Sequence, residues 1–415
     1  MGTEREPTAV TPPRIRRHAV VFMALAAALG TSTIYPMQPA VADVADSLGI
    51  EIGTVGIALA CGPVGYLLGL ALLVPLVDRY PPGRVLGLQF GVLGSALAVS
   101  AAVANVIMLG LVIGVVGACS AAGAGLSSVA GRLARPQRRA TTLGVVTAGI
   151  SVGILAGRIV GGWLTEEIGW RAMLLVFAAG CGLVAVCCLV LLPSASGAST
   201  GSTLSTVRSL PGLFGRYLTL RVAALRGALW FFAFCAVWAG LAVALSQPPH
   251  SYSAEQIGLL ALAGLSGVLA TPVAGAWTDR FGAGRVILPG LALAGAAACV
   301  AGFNLANTAV LLVCLAVFDA GLFAAQVANQ STVLAVDPAA PARFNSAYML
   351  VYFVGGSLGT AFGAAAVDWF GWSATAIVST AVIALALVIT VSGRDSGSRG
   401  TNDRGAPARQ ASMSS

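Results

Sequence analysis

The chain is a succession of long apolar runs separated by short polar and charged segments. About 20 predominantly apolar residues suffice to cross a bilayer as a helix. The pattern predicts an all-α membrane protein with twelve transmembrane helices. The predicted spans are 19–41, 53–77, 85–104, 107–131, 140–163, 171–192, 222–246, 255–277, 285–304, 308–334, 344–367 and 373–392.

The polar segments between these runs define the expected domains. Residues 194–221 are rich in Ser, Gly and Thr, which is typical of a linker, and the residues after 393 are similarly polar. The expected parts are a cytoplasmic tail at 1–18, a six-helix bundle at 19–193, a cytoplasmic linker at 194–221, a second six-helix bundle at 222–393 and a disordered cytoplasmic tail at 394–415.

Two motifs occur once in each half of the chain. The loop sequence DRYPPGR at 78–84 has a counterpart, DRFGAGR, at 279–285. The segment GRIVGGWLTEEIGW at 157–170 likewise aligns with GTAFGAAAVDWFGW at 359–372. One duplicated unit accounts for both pairs and predicts two pseudo-symmetric bundles, an arrangement common among secondary transporters.

The basic residues predict the topology. All 23 are arginine, and with both termini inside the cell 21 of them face the cytoplasm, including Arg226, while Arg171 alone faces outside. Arginine-rich loops stay on the cytoplasmic side of a membrane. We therefore expect a multi-pass protein of the bacterial inner membrane with both termini cytoplasmic. The net charge of +8 does not predict a nucleic-acid partner, because the arginines are not gathered in one patch.

Enzymatic chemistry finds no support in the sequence. The eight cysteines lie in apolar runs without metal-ligand spacing, and the two histidines, His18 and His250, lie in a tail and an outer loop. No nucleotide-binding signature is present, so energy for uphill transport would come from an ion gradient. We expect no catalytic residues, no metal and no cofactor.

The motifs resemble those of the major facilitator superfamily over essentially the whole chain outside the tails. GAWTDRFG at 275–282 is similar to the family signature G-x-x-x-D-R-x-G. YPMQP at 35–39 and GRIVGG at 157–162 resemble the branch of sugar-efflux permeases and drug:proton antiporters, with Arg158 where that branch usually has proline. The resemblance implies a proton-driven exporter that works by alternating access, as a monomer.

Asp319 is the sharpest candidate for a functional side chain. It lies about 16 Å into the tenth span, near the bilayer midplane. An acidic residue there costs at least about 2.5 kcal/mol, so it is normally turned toward a cavity or a partner. We expect either a proton-coupling or substrate-binding role, or a structural hydrogen bond to a neighbouring helix.

Arg158 lies about five residues from the outer end of the fifth span. It cannot lose its charge and must find an anion, a carbonyl or water. It either pairs with charge when the outer side closes, or reaches outward to Glu166 or Asp43 as a long amphipathic side chain.

The paired loops predict a cytoplasmic latch. An Asp at the membrane surface can cap a helix of the opposite half or pair with Arg there, which would hold the inner side shut. The alternative is that these charges only fix the topology. The latch candidates are Asp78, Arg79, Arg84, Asp279, Arg280 and Arg285, with Arg132 and Arg135 as partners.

Polar and aromatic residues on cavity-type helices predict a substrate surface, although such residues are more often packing or interface anchors. Few charges accompany them, which favours an apolar or weakly polar substrate, or a cation near Asp319. The cavity candidates are Tyr35, Gln38, Ser120, Trp230, Trp238, Gln326, Tyr348 and Tyr352.

The leading hypothesis is therefore a secondary transporter that exports small, drug- or sugar-like molecules against protons, with the lipid bilayer as its environment. A facilitator or importer of a neutral solute such as a sugar is the alternative, and it would need no titrating acid at Asp319. A non-transporting membrane scaffold or sensor is a remote third possibility.

Overall fold

The computed structural model describes residues 17–134, 139–192, 212–337 and 341–402, and within these ranges the secondary structure is helical without strands. The helices of the first half are α1 Arg17–Ser32, α2 Val41–Leu48, α3 Ile52–Leu59, α4 Cys61–Leu72, α5 Leu76–Arg79, α6 Pro82–Ala102, α7 Val106–Ser120, α8 Ala122–Leu133, α9 Arg139–Ile168 and α10 Trp170–Leu191. Those of the second half are α11 Leu218–Ser246, α12 Ala254–Leu259, a 3-10 turn Leu260–Gly264, α13 Leu265–Phe281, α14 Ala283–Phe303, α15 Thr308–Leu334 and α16 Pro341–Asn402.

Many of the described helical stretches are long and apolar enough to cross a membrane. Ten stretches meet that description, and the shorter apolar helix His18–Ser32 covers the first part of the span predicted at 19–41. One stretch, Arg343–Ser392, has 50 residues, which at about 1.5 Å per residue is about two and a half times the thickness of the hydrocarbon core. Gly371 interrupts it with non-helical backbone, so it contains the last two predicted spans. The all-α membrane fold is confirmed, and each predicted span falls on a helix.

The duplication is visible in how the helices pack. In each half, glycines four residues apart bring one long helix against the backbone of another, so closely that a Cβ atom on the glycine would stand 2.2 to 2.4 Å from a carbonyl oxygen. Small residues allow such close approach between membrane helices. The pairs are Gly149 and Ala24, Gly153 and Ala28, and Gly157 and Ser32 in the first half, and Gly355 and Ala228, Gly359 and Phe232, and Gly363 and Ala236 in the second.

Helix ends repeat as well. Asn105 caps α7 and Asn307 caps α15, each accepting hydrogen bonds from backbone N–H groups of the first turn. Gly169, which precedes α10, and Gly371 both have positive φ, at 82° and 78°. Because both pairs are 202 residues apart, the two halves keep one common register along much of their length.

The chain divides into two compact units. The first unit contains the described residues up to 192 together with 242–262, and the second contains 212–241 and 263–402. Within the first unit, α12 packs on α9, where a Cβ atom on Gly162 would stand 2.3 Å from the Ala254 carbonyl oxygen. The predicted linker lies mostly outside the described residues. α16 continues to Asn402, nine residues into the predicted C-terminal tail.

Candidate transport residues

Asp319 lies within α15 and is 2% exposed. The indole N–H of Trp238, on α11, donates to its Oδ1 over 3.2 Å. Trp238 is itself 5% exposed. The expected hydrogen bond to a neighbouring helix is therefore present. It leaves room for a coupling role, since an indole N–H can donate to a carboxylate or to the carbonyl oxygen of a protonated acid.

Arg158 is brought together with two other candidates on the first unit. Its Nε–H donates to Gln38 Oε1 over 2.9 Å, and its guanidinium lies 5.0 Å from the centre of the Tyr35 ring. The close packing of α9 on α1 at Gly157 positions the neighbouring Arg158 beside the segment that follows α1. Although 4% exposed, the arginine thus has a hydrogen-bond acceptor and an aromatic face.

Arg226 is a buried charge that the sequence analysis assigned to the cytoplasmic side. The structure places Arg226 inside α11 with 7% of its surface exposed, so it is a buried charge and not a loop residue. Its Nε–H donates to Asn329 Oδ1 over 2.8 Å, an Nη2–H donates to the same oxygen, and its Nη1 donates to Thr390 Oγ1 over 3.3 Å. The sequence signal that could have indicated this burial is that apolar residues lie on both sides of Arg226.

Tyr348 extends this polar network and is fully buried. Its hydroxyl donates to Gln326 Oε1 over 2.6 Å and accepts from Asn329 Nδ2 over 3.3 Å. The second Asn329 Nδ2 contact is the Ala223 carbonyl oxygen, at 2.9 Å. The network therefore ties α11, α15 and α16 together within the second unit.

Aromatic rings cover one side of the network. Tyr352 lies one turn beyond Tyr348, with ring centres 5.6 Å apart, as expected for two residues on one helix face. Tyr352 stacks on Phe231 at 3.9 Å and meets the edge of Trp230 at 5.1 Å. One cluster of predicted cavity residues therefore consists of Trp230, Gln326, Tyr348 and Tyr352. Trp238 lies apart from it and is hydrogen-bonded to Asp319.

Ser120 has a local role. Its buried hydroxyl lies 2.6 Å from the Thr33 hydroxyl and also donates to the Val116 carbonyl oxygen over 2.7 Å. This contact joins the end of α7 to the segment after α1.

The latch candidates are largely exposed at helix ends. Arg132, at the end of α8, donates to the Val77 carbonyl oxygen over 3.1 Å and so ties α8 to α5. Arg280 lies 5.2 Å from the Phe281 ring centre. Arg135 and the Asp78 side chain lie outside the described residues. The others, Arg79, Arg84, Asp279, Arg280 and Arg285, are exposed.

Three charged side chains are buried within the described residues: two are positive, Arg158 and Arg226, and one is negative, Asp319. The part of the chain that the structure describes contains no group of His, Cys, Asp and Glu that could hold a metal ion.

Known proteins resemble the chain along most of its length. The sequence model of the Major Facilitator Superfamily matches residues 20–248 and 228–414. YgaY of Escherichia coli O157:H7, an uncharacterised transporter, is 27% identical over 89% of this chain and 94% of its own. SCO4007 of Streptomyces coelicolor, named as a probable transporter, is 30% identical over 94% of this chain and 91% of its own.

Solved structures share the fold. A point mutant of the nucleoside transporter NupG superposes with a TM-score of 0.74 at 14% identity, covering 90% of this chain and 99% of its own. A bacterial homologue of the human lysosomal transporter Spinster, inward-facing and unoccupied, gives a TM-score of 0.71 at 17% identity, covering 94% and 98%.

Proposed function

The chain belongs to the major facilitator superfamily and is a membrane transporter, and we propose that it exports small drug- or sugar-like molecules in exchange for protons. The proposal includes an inner-membrane location, cytoplasmic termini, a monomeric state and alternating access between the two bundles. The branch motifs of the first and fifth spans support export over import.

The observation that carries proton coupling is the burial of Asp319 beside Trp238. A low-dielectric environment disfavours the charged form of a carboxyl group, so that a proton can be taken up and released. The Trp238 N–H gives the carboxyl group a fixed orientation while its charge changes.

Arg158 is proposed to respond to the transport cycle from the first unit. Gln38 accepts a hydrogen bond from its Nε–H and the Tyr35 ring faces its guanidinium, and this charge is proposed to act on a substrate or on the outer gate. The exposed charges of the two repeated loops, with Arg132 and Arg135, are proposed to form the cytoplasmic latch. Tyr35, Gln38, Ser120, Trp230, Trp238, Gln326, Tyr348 and Tyr352 are proposed to line the substrate path.

Efflux measurements test the proposal. Wild type, Asp319→Asn and the exposed control Asp368→Asn are expressed at equal levels in an efflux-deficient bacterium, and accumulation of toxic and fluorescent compounds is measured with and without a protonophore. We expect protonophore-sensitive efflux in wild type and Asp368→Asn and its loss in Asp319→Asn. Active efflux in Asp319→Asn would exclude Asp319 as the coupling residue. Protonophore-insensitive equilibration of a neutral solute would indicate a facilitator.

A further inference from the structure

Arg226 has no acidic partner among the described residues. Its acceptors, Asn329 and Thr390, are uncharged, and no described Asp or Glu forms an ion pair with it. Arginine keeps its proton in proteins, so this charge is permanent. A buried charge with only neutral acceptors is poorly compensated, and such groups are normally paired or bind an ion.

The fold itself does not require this charge. The repeated glycine contacts align Arg226 with Ala26, since Gly355 matches Gly153 in the common register and their carbonyl partners are Ala228 and Ala28. The repeated asparagine caps align Asn329 with Ser127. Thr390 corresponds to Cys188 in the same register, because Gly371 matches Gly169. The first half therefore builds the same helix packing with apolar and small residues.

A second buried donor lies one helical turn from Arg226. Among the described residues, the one group that the buried indole N–H of Trp230 approaches is the Tyr348 hydroxyl, which already donates to Gln326 and accepts from Asn329. Trp230 is 2% exposed. Residues four apart share a helix face, so the guanidinium and this N–H lie on the same side of α11. Buried polar groups are normally hydrogen-bonded, and this N–H shares a hydroxyl that already has two partners, so a stronger acceptor such as a carboxylate could take it.

The aromatic rings beside Trp230 indicate what kind of molecule could bind next to these two donors. Phe231 and Tyr352 stack next to Trp230 and provide an apolar, aromatic surface. A molecule that binds both the donors of Arg226 and Trp230 and these rings carries an anionic group rich in hydrogen-bond acceptors on an apolar body.

We propose that Arg226 and Trp230 bind the carboxylate of an amphipathic organic acid, whose apolar part packs on the Phe231–Tyr352 pair. This inference rests on the proposed transport function and names its substrate class. It departs from the sequence-based expectation of an uncharged or cationic substrate, which did not include Arg226 among the buried groups. An acidic lipid headgroup has similar chemistry, and the test separates the two sources.

The test uses ligand-dependent thermal unfolding of the purified full chain in a nonionic detergent. Benzoate, salicylate and phenylacetate are compared with benzamide and with chloride at equal ionic strength. We expect at least one of the three acids to raise Tm saturably, by about 2 °C or more, and benzamide and chloride to have no such effect. Phosphatidylglycerol in mixed micelles forms a separate arm.

Four variants locate the binding site. Asn329→Asp supplies a carboxylate where the amide oxygen now meets Arg226, so it should raise Tm without ligand and abolish the response to the acid. Arg226→Met should also abolish the response, and Trp230→Phe should weaken it at least threefold in apparent affinity. Arg171→Gln is the control, because Arg171 lies 4.3 Å from the centre of the Trp170 ring but is exposed. It should respond as wild type.

Several results would overturn the inference. They are no response of wild type to any of the three acids, an unchanged response in Asn329→Asp and Arg226→Met, or an Arg226-dependent response to phosphatidylglycerol alone. If Arg226→Met does not fold, Asn329→Asp and Trp230→Phe decide. The efflux assay of Asp319→Asn is read separately. Proton-coupled efflux without acid binding would reject the substrate class alone, and acid binding without protonophore-sensitive efflux would reject the export mechanism alone.

Discussion

The indole N–H of Trp238 donates to Asp319 Oδ1 over 3.2 Å, and this bond crosses from α11 to α15. The same two helices are joined a second time by Arg226 and Asn329. Since α11 and α15 therefore meet at two polar points within an apolar interface, the position of Asp319 depends on the contact between these helices.

Replacing Trp238 by Phe tests the contribution of this hydrogen bond. The ring keeps most of its apolar contact area, but Asp319 loses a donor, and a hydrogen bond to a charged group contributes about 1.5–3 kcal/mol. We expect Trp238→Phe to lower the free energy of unfolding by about 1–2 kcal/mol and to weaken proton-dependent efflux. Trp277→Phe is the matched control, because Trp277 is 56% exposed. If the two variants had equal free energies of unfolding, the hydrogen bond from Trp238 to Asp319 would make no significant contribution to stability.

The sequence predicted those parts of the molecule that depend on local patterns. Span positions, the duplication and the buried Asp319 follow from hydropathy and motif spacing. The network of Arg226 could not be predicted in this way. Its partners Asn329 and Thr390 are 103 and 164 residues away, and only the packing of three helices brings them together. The rule that arginines near span ends lie at the cytoplasmic side placed Arg226 there and gave no indication that its side chain is buried.

The cation–π contact of Arg158 can be separated from its charge. Arg158→Lys keeps the positive charge but loses the planar group over Tyr35 and the Nε–H that bonds Gln38. We expect Arg158→Lys to reduce efflux at unchanged expression. Tyr35→Phe keeps the aromatic face and should retain efflux. Tyr35→Leu removes the cation–π stabilisation of Arg158, about 0.5–2 kcal/mol, and should slow efflux by up to roughly 30-fold. If Tyr35→Phe and Tyr35→Leu behave alike, the ring has no part in holding Arg158.

The repeated glycine contacts predict equal effects in the two halves. A Cβ atom on Gly157 would stand 2.4 Å from the Ser32 carbonyl oxygen, and one on Gly359 would stand 2.2 Å from that of Phe232. We expect Gly157→Ala and Gly359→Ala each to cost about 1–3 kcal/mol in unfolding, because two backbones must move apart.

Gly182→Ala controls for helix propensity, since a Cβ atom there meets nothing within 4 Å. It should be neutral or stabilising by up to about 1 kcal/mol. A cost at Gly359 without one at Gly157 would show that the packing symmetry has no energetic counterpart.

The backbone at Gly371 predicts a different kind of penalty. Its φ of 78° and ψ of 171° lie in a region that only glycine readily adopts, and a Cβ atom there would have open space around it. The cost of Gly371→Ala therefore comes from backbone strain alone, and we expect about 1–3 kcal/mol in reversible unfolding. Gly169→Ala should cost a similar amount, because Gly169 has φ 82° at the matching position before α10. If Gly371→Ala were instead as stable as wild type, Arg343–Ser392 would tolerate a continuous helix, and the break that separates the last two predicted spans would have no energetic basis.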